Sequence, residues 1–520
     1  MLVEARPSTV SPGLARVRPP AGLVLAAALV GAVTLLPLGF MAVRIASIGG
    51  DQVVALLFRP RVGELLLNTG RLVVVATLAS AIIGLGAAWL TERTAIPGRA
   101  AWAVLMALPL TVPAFVMSYS WVSLTPAVQG FAGAVMVVTL SYFPFIYLPV
   151  AAVLRNMDPA LEEVARSQGC GMWKTFWRVT LPHARPALIG GALIVSLHLL
   201  AEFGAFDLLR FSTFTTAIYN EYQLTFDGPA ASMLASVLAA LSLLLLVAEM
   251  KVRGRAFASR VGAGTARRVV RYDLGRWTPC ALAALAAVLL LALGVPLGTL
   301  AYWLIRGGAG ADAFMPVMQA TVTSLGLSLE AAVLTTACAV PVALLAVRFP
   351  GRLANGIERS TYVSQALPGI IIALGLIVVA VHYLRPVYQT TGLLLVAYGI
   401  LSLPFAVVAI RAALAQVSPR LEDVARSLGC PPFKVLFRVT LPIIAPGLAA
   451  GATLVFLATV TELTATLLLA PTGTQTLAMQ VWSNTDQLAY AAAAPYAALT
   501  ILISALPTYL FSSRFGAIAS

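Results

Sequence analysis

Hydrophobic positions in this chain run in long unbroken stretches instead of alternating with polar ones. Stretches of spanning length fall at 21–43, 66–90, 100–124, 131–154, 187–209 and 231–250, and again at 279–305, 321–347, 360–384, 391–410, 447–470 and 495–513. A membrane helix needs about 20 apolar residues to cross the hydrocarbon layer and satisfies its backbone internally while doing so. The pattern therefore predicts an all-α integral membrane protein with about twelve transmembrane helices, six in each of two sets. The run at 21–43 exceeds the h-region of a signal peptide and reads as a retained first span. Composition agrees: of 520 residues 60% are hydrophobic and 10% charged. That excludes an ordinary soluble enzyme or a disordered chain, and leaves no room for a large soluble domain.

The net charge of +14 suggests nucleic acid until the cations are placed. With the N-terminus in the cytoplasm and twelve alternating spans, 27 of the 34 Lys and Arg lie inside and 7 outside. The positive-inside rule then places both termini in the cytoplasm, and the basic charge sets topology with no nucleic-acid partner required. The organisation expected is a first half at 1–250, a basic cytoplasmic linker at 251–278 and a second half at 279–520. Cys170, Cys280, Cys338 and Cys430 show neither a CxxC pair nor metal-ligand spacing.

The halves are copies. The segment LEEVARSQGCGMWKTFWRVTLPHARP at 161–186 aligns without gaps on LEDVARSLGCPPFKVLFRVTLPIIAP at 421–446, with 15 of 26 positions identical. At the same offset of 260 residues Pro144–Phe145 matches Pro404–Phe405, and Glu202 matches Glu462. Six spans, an even number, separate the copies, so the repeats are parallel and related by an axis along the membrane normal.

Each copy occupies a cytoplasmic loop between the fourth and fifth span of its half. Asp158–Pro159 and Ser418–Pro419 sit where an N-cap and first turn belong, followed by Glu162, Glu163, Glu422 and Asp423 at the positive helix end. Gly169 and Gly429 end that helix, a second amphipathic stretch follows, and Leu181–Pro182 and Leu441–Pro442 are expected to break the chain before the next span. Two identical folded protrusions on one face suit a two-fold symmetric motor pushing from the cytosol; inherited interfacial helices are the other reading.

Both segments resemble the EAA loop of ABC importer permeases: E-A-A, three residues, G, nine residues, I, one residue, L-P. Glu163, Ala165, Gly169, Val179, Leu181 and Pro182 fit it in the first half, and Asp423, Ala425, Gly429, Val439, Leu441 and Pro442 in the second. The departures are Val164 and Val424 for the first Ala, the two Val for Ile, and Asp423 for Glu. The resemblance implies that each loop docks into one of two copies of an ATP-binding subunit, in a bacterial inner membrane, with a solute-binding protein outside. No Walker A pattern occurs in the chain, so ATP and Mg belong to that partner and the chain carries no cofactor or ATPase of its own.

LPLTVPAFVMSYSW at 108–121 and AEFGAFDLLRFSTFTTAIYNEY at 201–222 resemble the third span and the fifth span with its outer loop in ferric iron permeases. Fused permeases for thiamine and 2-aminoethylphosphonate are similar too, and polyamine is a further candidate. An ion-coupled secondary transporter accounts for the spans but not for the loops, and no nucleophile–base constellation supports a membrane-embedded enzyme.

Glu202 and Glu462 are the acidic residues at matching depth. Counted from 187, Glu202 lies ~22 Å along a helix, past the bilayer midplane. A carboxylate there costs a few kcal/mol unless it meets a polar cavity or partner. Two readings stand: the pair lines the translocation path, or hydrogen-bonded carboxyls fix helix contacts. Asp207, Glu221 and Asp227 read as outer loop charge, and Glu330 has no acidic counterpart. His183, His198 and His382 lack ligand spacing, and Trp121, Tyr142 and Tyr147 read as span aromatics, so the identity of any metal-binding residue is left open.

Overall fold

The computed structural model describes residues 19–48, 55, 58–256, 271–307 and 311–516. The N-terminal cations Arg6, Arg16 and Arg18, and residues 257–270 of the basic linker, lie outside the described residues. No strand longer than an isolated bridge occurs among the described residues.

Among the described residues eight single helices are long and apolar enough to cross a membrane, three more candidates are bent pairs, and a shorter apolar helix covers Tyr490–Ala505. These twelve elements follow the twelve stretches of the sequence, but they are not twelve straight rods. The third element of each half turns sharply, by 87° between Arg99–Thr111 and Ala114–Leu124 and by 110° between Arg352–Ala366 and Gly369–Tyr383. Both breaks fall before a proline. Val112 (φ −98°, ψ 108°) precedes Pro113, and Leu367 (φ −85°, ψ 124°) precedes Pro368. The proline ring excludes the helical conformation at the residue before it.

The fifth span corrects the sequence reading at both ends. In the first half the helix begins in the loop and continues from Met172 to Ala201, so Leu181–Pro182 does not break it. A π-helical turn at Phe176–Thr180 precedes Leu181–Pro182, and Leu436–Thr440 does the same before Leu441–Pro442. A third, Leu290–Gly294, precedes Val295–Pro296. A proline lacks the N–H of the regular ladder and clashes with the carbonyl four residues back; widening the preceding turn accommodates both defects. In the second half the break comes later, at Ile444, with a bend of 72°. At its far end the first-half helix stops at Ala201, not 209, and Glu202 is its C-cap in extended geometry.

The first span crosses over. Ala21–Ile48 packs against Ala311–Arg348, Arg352–Ala366 and Gly369–Tyr383 of the second half, while Val295–Gly307 packs on Ala114–Leu124 of the first. Where the first span meets Gly369–Tyr383, a Cβ on Gly375 would stand 2.7 Å from Pro37 Cα, so only glycine permits the approach.

Candidate functional site

The repeated loops fold alike. Pro159–Ser167 and Pro419–Ser427 are short helices. The Asp158 carboxylate accepts the Ala160 N–H at 2.9 Å, whereas Ser418 holds the same place without a side-chain bond. Gly169 (φ +78°) and Gly429 (φ +81°) take the left-handed geometry that ends each helix. Their missing side chains would point into open space.

The structure separates the two acids that start each helix. Glu163 and Asp423 are exposed, while Glu162 and Glu422 are buried. Glu162 accepts from Thr180 Oγ1 at 2.8 Å and lies 3.5 Å from Arg93 Nε. Glu422 accepts from Thr440 Oγ1 at 3.2 Å and from Arg348 Nη2 at 2.9 Å. Each buried acid thus pins its loop helix to the start of the fifth span and to the end of the second. Sequence reasoning missed this anchor. Glu162 and Thr180 are identical in the repeat, but Arg93 and Arg348 are 255 residues apart and fall out of a gapless alignment at 260.

Other matched positions remain uncovered. Ala165, Val179 and Leu181, with Ala425, Val439 and Leu441, are half-buried; Pro182 and Pro442 are exposed. Around them Val164 and Val424, and the pairs Trp173–Trp177 and Phe433–Phe437, leave large apolar surface in the open, with Trp173 63% and Phe433 70% exposed. The aromatic pairs are spaced i, i+4, on one helix face. Paired apolar faces of this kind mark protein interaction sites.

The first loop carries one further contact. Tyr272, just before the second half, donates its N–H to the Arg93 carbonyl at 2.9 Å and accepts the Ala95 N–H at 2.9 Å. Its ring stacks on Trp89, with centroids 6.3 Å apart, and lies under the Arg166 guanidinium at 5.2 Å. Burial pushes the Tyr272 phenol above its ordinary pKa, and the nearby Glu162 carboxylate adds to that.

At the opposite end of the fifth spans the two glutamates terminate their helices. Glu202 Oε1 accepts the Ala205 N–H at 2.9 Å, and Glu462 Oε1 accepts the Ala465 N–H at 3.0 Å. Each carboxylate therefore caps the short helix that follows it, Gly204–Leu208 or Thr464–Leu469. The breaks meet across the repeat axis, since a Cβ on Gly204 would lie 2.5 Å from Leu463 Cδ2. Of the two acids, Glu202 accepts in addition from a side chain, Tyr142 Oη to Oε2 at 2.5 Å.

Beyond the breaks, at the face away from the loops, lies a cavity of about 310 Å³ lined from both halves by Asp207, Arg210, Asn220, Thr485, Asp486 and Tyr490. Asp207 is half-buried and accepts from Trp482 Nε1 at 2.8 Å, which joins the halves. Asp227 accepts the Ala230 N–H at 2.9 Å and starts the sixth span. Among the described residues no three His, Cys, Asp or Glu side chains cluster as a resident metal centre.

Comparison with known proteins fits this duplicated geometry. The family described as the binding-protein-dependent transport system inner membrane component matches twice, at residues 80–261 and 336–515. The Fe(3+)-transport system permease protein FbpB 2 of Haemophilus influenzae is 40% identical over 496 residues, covering 95% of this chain and 98% of that one. The ferric transport system permease protein FbpB of Actinobacillus pleuropneumoniae is 22% identical over 504 residues, 87% of this chain and 71% of that one. The sulfate transport system permease protein CysT of Escherichia coli is 31% identical over 250 residues, 44% of this chain and 90% of its own length.

Proposed function

The chain belongs to the binding-protein-dependent transport system inner membrane component family, and we propose that it is a two-half permease of an ATP-driven importer whose cargo is ferric iron. The cargo rests on the full-length likeness to a Fe(3+) permease, since the sulfate relative aligns with less than half of the chain. Both termini and the linker face the cytoplasm, the membrane is the bacterial inner membrane, and the halves divide at the linker. Two copies of a separate ATP-binding subunit dock on the loops, through Glu163, Ala165, Gly169 and Val164 in the first half and through Asp423, Ala425, Gly429 and Val424 in the second. ATP and Mg stay on that partner, and an external solute-binding protein delivers the cargo at the opposite cavity.

The observation that carries the coupling role is the duplicated exposed apolar face, each copy held by a buried acid to the helix entering the membrane. A rigid connection of this kind moves the fifth span whenever the docked partner moves. In the first half the continuous helix Met172–Ala201 runs from the docking face to Glu202, so displacement reaches the break directly.

The test is uptake of radiolabelled ferric citrate by cells with and without this chain, with labelled sulfate in parallel. Chain-dependent iron uptake that stops on ATP depletion is expected. ATP-dependent sulfate uptake without iron would overturn the cargo, and uptake driven by an ion gradient would overturn the motor.

A further inference from the structure

Glu202 and Glu462 match in sequence and in capping geometry, yet their surroundings do not. At the repeat offset Tyr142 corresponds to Ser402 and His198 to Ala458. The first half therefore gathers a phenol, an imidazole and a carboxylate, whereas at the matching positions the second keeps only the carboxylate, and its nearby phenol, Tyr398, bonds Thr466 instead. Tyr142 Oη donates to Glu202 Oε2 at 2.5 Å, the Tyr142 and His198 ring centroids are 5.7 Å apart, and the Phe145 ring lies 4.4 Å from His198.

His198 is oriented. Its Nδ1 lies 2.9 Å from the Ile194 carbonyl, which can only accept, so Nδ1 carries the proton and Nε2 keeps a free lone pair. A metal-binding imidazole is held in this way, its second nitrogen donating to a backbone carbonyl. Ser196, on the opposite face of the fifth span, is buried and bonds Thr77 at 3.1 Å. His198 itself is exposed, one turn before the break where Gly204 meets Leu463 of the other half. Ionisable groups at membrane depth mark a substrate route, and such routes run where repeats meet.

We infer that Tyr142 and His198 form a transient ferric-ion site on the translocation route, with Glu202 as the base that frees the phenolate; this rests on the ferric reading given above. When the ion arrives, the phenol proton passes to Glu202 Oε2 along the existing hydrogen bond. The Tyr142 oxygen and His198 Nε2 then bond the ion, and the remaining positions stay with water or the anion accompanying it. The reverse transfer releases it. Carboxylate plus phenol and carboxylic acid plus phenolate carry the same single negative charge, so no net charge is created in the apolar surroundings. Two protein donors hold a trivalent ion weakly, as passage demands. The second half, with Ser402 and Ala458, offers no equivalent, so the route is one-sided.

The test uses the purified full-length chain in lipid nanodiscs titrated with ferric citrate. A bound phenolate gives ferric iron a visible ligand-to-metal charge-transfer band. We expect that band in the unaltered protein, its loss in Tyr142→Phe, and an apparent affinity about tenfold or more weaker in His198→Gln. Yield and thermal melting of Tyr142→Phe, which removes one oxygen, report whether it folds. No band in the unaltered protein, or a band retained by Tyr142→Phe, would overturn the site. Iron uptake by cells carrying the chain separates the causes: uptake with no band removes this site alone, and no uptake removes the ferric reading with it.

Discussion

The two halves are nearly the same at their loops and differ at their membrane breaks and in how the loops are anchored. Loop helices, left-handed glycines, buried acids and exposed aromatic pairs recur residue for residue. Past the loops, one fifth span is a continuous helix and the other is bent by 72°, and only the first-half glutamate bonds a tyrosine. On the proposed function, the duplicated surface persists because it meets a duplicated partner. Where a single cargo passes, the two copies need not stay alike.

The sharpest way to break this comparison is at the buried acids. Arg348 donates to the Val417 carbonyl as well as to Glu422, and its side chain keeps 11% exposure. Arg93 is fully buried, its nitrogens lack hydrogen-bond partners, and Glu162 is the acid within ion-pair distance. Removing one partner of a buried pair costs ~3–5 kcal/mol because the other charge is left uncompensated. Glu162→Ala is therefore expected to lower the melting temperature more than Glu422→Ala, and equal shifts would contradict the asymmetry of anchoring.

Next in size are the glycines, where the halves are expected to behave alike. A non-glycine residue held at positive φ costs about 1–2 kcal/mol, and a bulky side chain at Gly169 or Gly429 would stand on the docking face. Either Gly→Leu change is expected to weaken capture of the ATP-binding subunit while leaving membrane insertion intact. Unchanged co-purification from the double variant would remove the docking role of these loops.

The smallest effect concerns Tyr272, which touches the first loop. Losing its stacking on Trp89 removes about 0.5–1.5 kcal/mol. Tyr272→Ala is expected to speed amide exchange over 159–180 and leave 419–440 unchanged. Equal acceleration in both loops would mean that the contact has no local role.

Much of this organisation was legible in the chain itself. The twelve apolar stretches and the repeat at 260 residues come through because both are local patterns, and the turn glycines stood out by position. The bends at Val112 and Leu367 were less visible, since an apolar stretch records length and not direction, although Pro113 and Pro368 mark them. The break expected at Leu181–Pro182 failed because a π turn absorbs the proline. Crossing of the first span left no trace, for apolar contacts carry no register. Tyr142, His198 and Glu202 were dismissed or left open because a site assembled from different spans has no fixed sequence spacing.

The central claim is that each loop receives one ATP-binding subunit. Native mass spectrometry of the purified chain with its co-expressed ATP-binding subunit measures this directly. Two subunits per chain are predicted for the unaltered protein, and one when Trp173 and Trp177 are replaced by Ala. A chain that binds none, or that still binds two after Trp173, Trp177, Phe433 and Phe437 are all replaced, would contradict it.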